Sequence, residues 1–167
     1  FPGLALAREF MRQRPGSEMI FVGTARGLEA KVIPREGFEL VTIKAQGVMG
    51  KRLGGALRGL GLLPIGTAQC LALCRARRPD LVLGIGGYTS PPLILAARLL
   101  GIPRALLEPN AYPGMANRVL DPLADRVFVA FDETARFFGA KKARLVGTPI
   151  RAEFVEASRS EAGTGPG

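Results

Sequence analysis

The amino-acid sequence predicts a doubly wound α/β domain with a mostly parallel sheet. Three observations carry that prediction. Six short runs are apolar almost throughout, as strands of a parallel sheet are when both faces are covered. Helical patterns fill the intervals between them. One interval opens on a glycine turn, "GIGGYTSPP", of the kind that joins a strand to a helix in this class.

The elements follow in order. "FPGLALAREFMRQR" reads as a helix, with Pro2 in its first turn and Leu4, Ala7, Phe10 and Met11 on one apolar face. Strands are expected at residues 18–23 (EMIFVG), 38–43 (FELVTI), 81–85 (LVLGI), 104–108 (RALLE), 126–130 (RVFVA) and 143–147 (ARLVG). Helices are expected at 28–35, within 53–78, at 91–100, at 114–123, and briefly near 132–138. A doubly wound domain ordinarily begins with a strand, and the loop after that strand is a favoured ligand site. Both ends of the sequence therefore read as cut, with that strand and loop expected upstream of Phe1. Residues 1–154 are read as one domain and 155–167, small, polar and rich in Gly, as a linker or tail.

Composition narrows the partners. A chain of 167 residues is long enough for one well-buried core. Lys and Arg number 23 against 14 Asp and Glu, and a net charge of +9 points to an anionic partner. Residues 40–79 contain no acid, yet hold Lys44, Lys51, Arg52, Arg58, Arg75, Arg77 and Arg78. Cys70 and Cys74, one helical turn apart among apolar residues, read as buried thiols rather than a disulfide or metal pair. No leader peptide is expected. The uncharged stretch 59–74 contains Pro64, Thr67 and Gln69 and is shorter than the roughly 18–20 residues a bilayer requires. A cytosolic chain that touches a membrane without crossing it is expected.

The glycine turn admits three readings. Gly84 and Gly86 match the start of the dinucleotide-binding G-x-G-x-x-G, with Glu108 where a ribose-binding acid belongs, but Thr89 occupies the third glycine position. A second reading gives Gly86 and Gly87 only the task of a sharp bend. In the third, Ser90 caps a helix that begins at Pro91, and the amides of Gly87, Tyr88 and Thr89 face an anion at its positive end. A diphosphate suits such a site.

The segments "FPGLALA", "GTARGLEAKVIPREG", "GVMGKR", "PDLVLGIGGYTSPP", "GIPRALLEPNAYPGMANR" and "VGTPIR", in this order and spacing, closely resemble the MurG family of bacterial glycosyltransferases. These enzymes move N-acetylglucosamine from UDP-N-acetylglucosamine onto lipid I, an undecaprenyl-diphosphate-linked muramyl-pentapeptide, to form lipid II in peptidoglycan synthesis. The resemblance implies the N-terminal half of a GT-B enzyme, in which two Rossmann-like domains face each other across a cleft. It assigns the acceptor's diphosphate to Gly86, Gly87, Tyr88, Thr89 and Ser90, and donor contacts to Asn110 and Arg151. Most of the donor site belongs to the C-terminal half. Two departures stand out: Pro109 replaces the family's usual Gln, and the family's first glycine loop, with its histidine, would lie upstream of Phe1.

The same resemblance implies inversion at the anomeric carbon by direct attack of a muramyl hydroxyl, with a base taking its proton. The sequence has no histidine, so the catalytic residue is unassigned and this piece alone is expected to be inactive. Glu108 is expected to orient its turn, with support to catalysis as the lesser role. No Asp-x-Asp cluster appears, and neither a metal nor a cofactor is expected; loop amides and helix dipoles would stabilise the leaving diphosphate.

Around the cations of the acid-free stretch lie Val48, Met49, Leu53, Leu57, Leu62, Leu63 and Ile65, more apolar residues than one buried stripe needs. Together with Lys51, Arg52 and Arg58 they suit an anionic membrane surface; a helix with a solvated basic face is the plainer alternative. Nucleic acid is not expected, since the sequence has no Trp, two Tyr and no recognition motif. The expected location is the cytoplasmic face of the bacterial inner membrane, held peripherally. The alternatives are half of another GT-B enzyme with a diacylglycerol acceptor, or a nucleotide-binding module without catalysis.

Overall fold

A computed structural model of the chain describes residues 2–46 and 53–147, the side chains of 53–60 excepted. It divides into two compact units, Phe1–Met19 with Thr148–Gly167, and Ile20–Gly147. In the first unit, α1 (Pro2–Gln13) buries Leu4 and Ala7, and Glu9 accepts hydrogen bonds from Arg12 and Gln13 on its exposed face.

The second unit runs β1 (Ile20–Gly23), α2 (Glu29–Arg35), β2 (Glu39–Thr42), α3 (Leu53–Arg77), β3 (Val82–Gly84), α4 (Ser90–Leu99), β4 (Arg104–Glu108), α5 (Met115–Leu120), β5 (Arg126–Val129), α6 (Asp132–Ala135) and β6 (Ala143–Leu145). Every strand pair is parallel. The strands form two sheets, β1-β2 and β3-β4-β5-β6, where one continuous sheet was expected. In the larger sheet Val82 stands opposite Arg104, Ala105 opposite Arg126, and Val127 opposite Ala143.

Burial corrects one expectation. The central strand β4 is covered on both faces, with Ala105, Leu106, Leu107 and Glu108 all buried. The outer strands β2 and β6 are not; Leu145 on β6 is 58% exposed. An outer strand has a neighbour on one side only, and its apolar composition cannot supply the missing cover.

Helix α4 joins two cores. Ile94 and Ala97 pack into a cluster with Val82, Leu106, Leu120, Val127 and Val129, while Ala96 packs with Ile43 and Cys70. Small residues make the approach possible. A Cβ on Gly66 of α3 would lie 2.8 Å from the Lys44 carbonyl oxygen and 3.3 Å from Pro92 Cβ, so only glycine lets α3 come this close to the start of α4. Pro64 lies inside α3, and Arg78 (φ 47°) follows its end in the left-handed region. At the opposite edge of the sheet from the site described below, Arg104 binds the Leu123 and Ile102 carbonyls and pairs with Asp125 at 3.1 Å.

Both cysteines are free and buried, as expected. Burial, with Cys74 nearby, pushes the Cys70 thiol from its ordinary value near 9 up to about 12. The folded chain keeps this thiol neutral where the unfolded chain ionises it. Its contribution to stability should thus be complete below pH 9 and be lost as pH rises towards about 12. Urea midpoints at about pH 8 and about pH 10.5 should fall more in the native chain than in Cys70→Ala. Equal falls would mean that the loss arises elsewhere.

Candidate functional site

At the C-terminal edge of the larger sheet, β3 and β4 run side by side, so the segments that leave them lie together. After Gly84 the chain turns through Gly86 (φ 81°) and Gly87 (φ 75°) into α4. Two consecutive left-handed residues explain the glycine pair, since a Cβ disfavours that region. Among the described residues no atom lies within 4 Å of where a Cβ on Gly87 would stand, so the turn is open on that side. Tyr88 is exposed and Thr89 half-buried.

The structure moves the helix start. Ser90 is the first residue of α4, and Thr89 stands before it with near-helical dihedrals. Ser90 is buried and its Oγ donates to the Gly86 carbonyl at 2.5 Å, closing the turn. Its hydroxyl therefore does not cap the helix as the sequence suggested. Pro91 and Pro92 have no N–H, and Leu93 donates its own to the Thr89 carbonyl. The donors left at this helix end belong to Ser90 and to the turn before it, and the helix dipole favours an anion there.

Beyond β4 the chain is organised by one carboxylate. Glu108 is 2% exposed. Its Oε1 accepts from the Asn110 backbone N–H (3.1 Å) and Asn110 Nδ2 (2.8 Å). Its Oε2 accepts from the Gly114 N–H (2.8 Å) and from Asn117 Nδ2 (3.0 Å). From α6, Thr134 Oγ1 points its proton at the carbonyls of Asn110 and Ala111, at 3.1 and 2.8 Å. The turn 109–114 is thereby held from within and from the helix that follows β5. Both oxygens of Glu108 are engaged in that scaffold, which makes it a turn-orienting residue.

Asn110 is exposed at this edge, beside the strand that carries the glycine turn, with its Nδ2 given to Glu108. Arg151, Val48, Met49, Lys51 and Arg52 lie outside the described residues, and Leu53, Leu57 and Arg58 are described in backbone only. On α3 Ile65 is 46% exposed, while Leu62 and Leu63 are half-buried. No group that could hold a metal ion occurs among the described residues. Sequence reasoning missed Asn117 and Thr134, both buried. It also missed an aromatic–cation cluster on the same turn, where Tyr112 packs edge-on against Phe137 and the guanidiniums of Arg118 and Arg136 lie 5.8 and 5.1 Å from that ring.

Adjacent parallel strands that end in a glycine turn and a braced polar turn define an α/β domain of the doubly wound class, in which this edge of the sheet is the usual place for a ligand. Within that class, the chain belongs to the glycosyltransferase family 28 N-terminal domain, whose family model matches residues 1–129. It is 43% identical over 156 residues to a UDP-N-acetylglucosamine–N-acetylmuramyl-(pentapeptide) pyrophosphoryl-undecaprenol N-acetylglucosamine transferase of Myxococcus xanthus, covering 93% of this chain and 41% of that protein. A protein of the same name from Pelobacter propionicus is 44% identical over the same shares. The fold matches the crystal structure of Acinetobacter baumannii MurG with a TM-score of 0.74 and 28% identity, over 92% of this chain and 42% of that one. A UDP-GlcNAc 2-epimerase of Neisseria meningitidis shares the fold at a TM-score of 0.67 and 13% identity, over 96% of this chain and 46% of that one. The chain spans about two fifths of the length of the curated relatives it matches. The resemblance read from the six sequence segments is thus borne out.

Proposed function

We propose that this chain supplies the acceptor-binding half of a transferase that moves N-acetylglucosamine from UDP-N-acetylglucosamine onto a muramyl-pentapeptide carried on undecaprenyl diphosphate. The observation that carries the reading is the open, left-handed Gly86–Gly87 turn at the N-terminus of α4, beside the Glu108-braced turn. Amides of Gly87, Tyr88, Thr89 and Ser90 hold the acceptor's diphosphate. Asn110 and Arg151 meet the donor, whose remaining contacts come from the rest of the enzyme. A muramyl hydroxyl attacks the anomeric carbon; the new glycosidic bond forms as the bond to UDP breaks, and the hydroxyl proton passes to a base. These 167 residues contain no histidine, and the base is assigned to the rest of the enzyme.

A polyprenyl-linked acceptor requires work at a membrane surface. The segment 48–65 faces the anionic, cytoplasmic side of the bacterial inner membrane through Lys51, Arg52, Arg58 and its leucines. The acid-free run 40–79 and the exposed Ile65 support this docking. No described helix is long and apolar enough to cross a bilayer, and the proposed attachment is peripheral.

In the whole enzyme, Gly87→Val places a branched side chain at a positive φ and in the path of the phosphate. Transfer should fall on the order of tenfold while UDP-N-acetylglucosamine binding stays close to normal. Steady-state kinetics with an equilibrium donor titration separate the two. An equal loss of donor affinity would assign the turn to the nucleotide instead.

A further inference from the structure

The most unusual group near the glycine turn is a carbonyl oxygen. Asn117 is 1% exposed and its Oδ1 has no hydrogen-bond partner. Its amide nitrogen is bonded twice, to the Leu107 carbonyl and to Glu108 Oε2, each at 3.0 Å. Those two acceptors fix the orientation of the amide. Rotating it end for end would set Oδ1 against a carboxylate and a carbonyl, oxygen to oxygen. An orphaned buried acceptor is rare in a folded protein and calls for a partner.

The oxygen lies beside the turn. A Cβ on Gly86 would stand 3.7 Å from Asn117 Nδ2 and 3.8 Å from its Oδ1, and these are its nearest neighbours. Because residue 86 is glycine, the space beside this oxygen is empty of side chain, and Gly86 itself is only half-buried. Two opposite preferences therefore meet within one turn. The start of α4 attracts an anion; Asn117 Oδ1 repels one and requires a donor.

We propose that Asn117 Oδ1 recognises a hydroxyl or amide N–H on the sugar next to the phosphate held by α4, so that the pocket selects a glycosyl diphosphate over a diphosphate without a sugar. This deepens the acceptor assignment above and rests on it. Neither bare diphosphate nor a prenyl diphosphate can satisfy the oxygen, whereas a sugar brings the donor and the charge together. Asn117 is then a specificity-determining residue, held in register by the carboxylate that braces the neighbouring turn.

The test is an amide NMR titration of the 167-residue chain with two soluble probes, geranyl diphosphate and N-acetylmuramyl-diphospho-geraniol. The native chain should bind the muramyl probe about tenfold more tightly, as expected for one buried acceptor satisfied by one probe only. In Asn117→Ala the ratio should fall close to 1 because the oxygen is gone. In Gly86→Ala it should also fall, because a methyl fills the space beside the oxygen while Asn117 keeps its bonds to Glu108. Either variant suffices should the other fail to fold. Equal affinities in the native chain, or a ratio that survives in a folded variant, overturn the inference. If both probes bind equally, the diphosphate assignment stands without Asn117; if neither binds, the turn does not take diphosphate and both readings fall.

Discussion

Replacing Glu108 by leucine should destabilise the chain by on the order of 4 kcal/mol or more. Leucine fills a similar volume but leaves four N–H groups without their acceptor: the backbone and side-chain groups of Asn110, the Gly114 amide and Asn117 Nδ2. Each buried donor stranded in this way costs roughly 1–3 kcal/mol, and those nearest the surface recover part of it from water. Glu108→Gln is the sharper comparison. It retains one carbonyl oxygen for two of the donors but sets an NH2 against the other two, and its loss should fall between the native chain and the leucine variant. Urea denaturation followed by circular dichroism gives both values. If both variants lie within about 1 kcal/mol of the native chain, the carboxylate does not hold the turn together.

Reversing three charges should largely abolish attachment to anionic vesicles. Each cation at such a surface contributes about 1 kcal/mol, and an acid in its place is repelled to a similar degree. Lys51→Glu, Arg52→Glu and Arg58→Glu together should therefore weaken binding by roughly 3–6 kcal/mol, on the order of a hundred- to ten-thousandfold. Salt should weaken the native chain's binding too, since the screening length shrinks from about 10 Å at 0.1 M to about 3 Å at 1 M. The salt-resistant remainder should decline in the double change Leu62→Ser and Leu63→Ser, with circular dichroism as a check because both side chains are half-buried. Co-sedimentation at two salt concentrations, with zwitterionic vesicles as control, measures all of this. A native chain that stays in the supernatant with anionic vesicles at low salt would leave residues 48–65 as an ordinary solvated segment.

The order and type of the elements were legible in the sequence because each depends on neighbours in the chain. β4 occupies Arg104–Glu108, the span its apolar run marks out. α4 starts one residue early because the Ser90 hydroxyl turns back to the Gly86 carbonyl, a choice that serine as a residue type leaves open. The division into two sheets was not legible: an apolar run reports burial, not which strand lies beside it. For the same reason β2 and β6 read like β4 although they are outer strands. At the site, the glycine pair and Glu108 were visible from their place at strand ends. Asn117 was hidden within "MANRVL", where a single Asn looks like the wet side of a helix. Its partners lie nine and ten residues back, on another element, and those of Thr134 lie 23 and 24 back. Burial of a lone polar residue is a tertiary fact that local patterning does not contain.

Pro64 gives α3 a mechanical character that its continuous outline conceals. Lacking an N–H, it cannot bond the carbonyl of Leu60 one turn earlier, and its ring presses on that turn. On the C-terminal side, Gly66 meets Pro92 and Cys70 is packed with Ala96, so that half is clamped to α4 and through it to the glycine turn. A proline is where a helix bends most readily, and Pro64 stands just ahead of that clamped half. A bend at residue 64 would therefore leave the turn at 86–90 where α4 holds it.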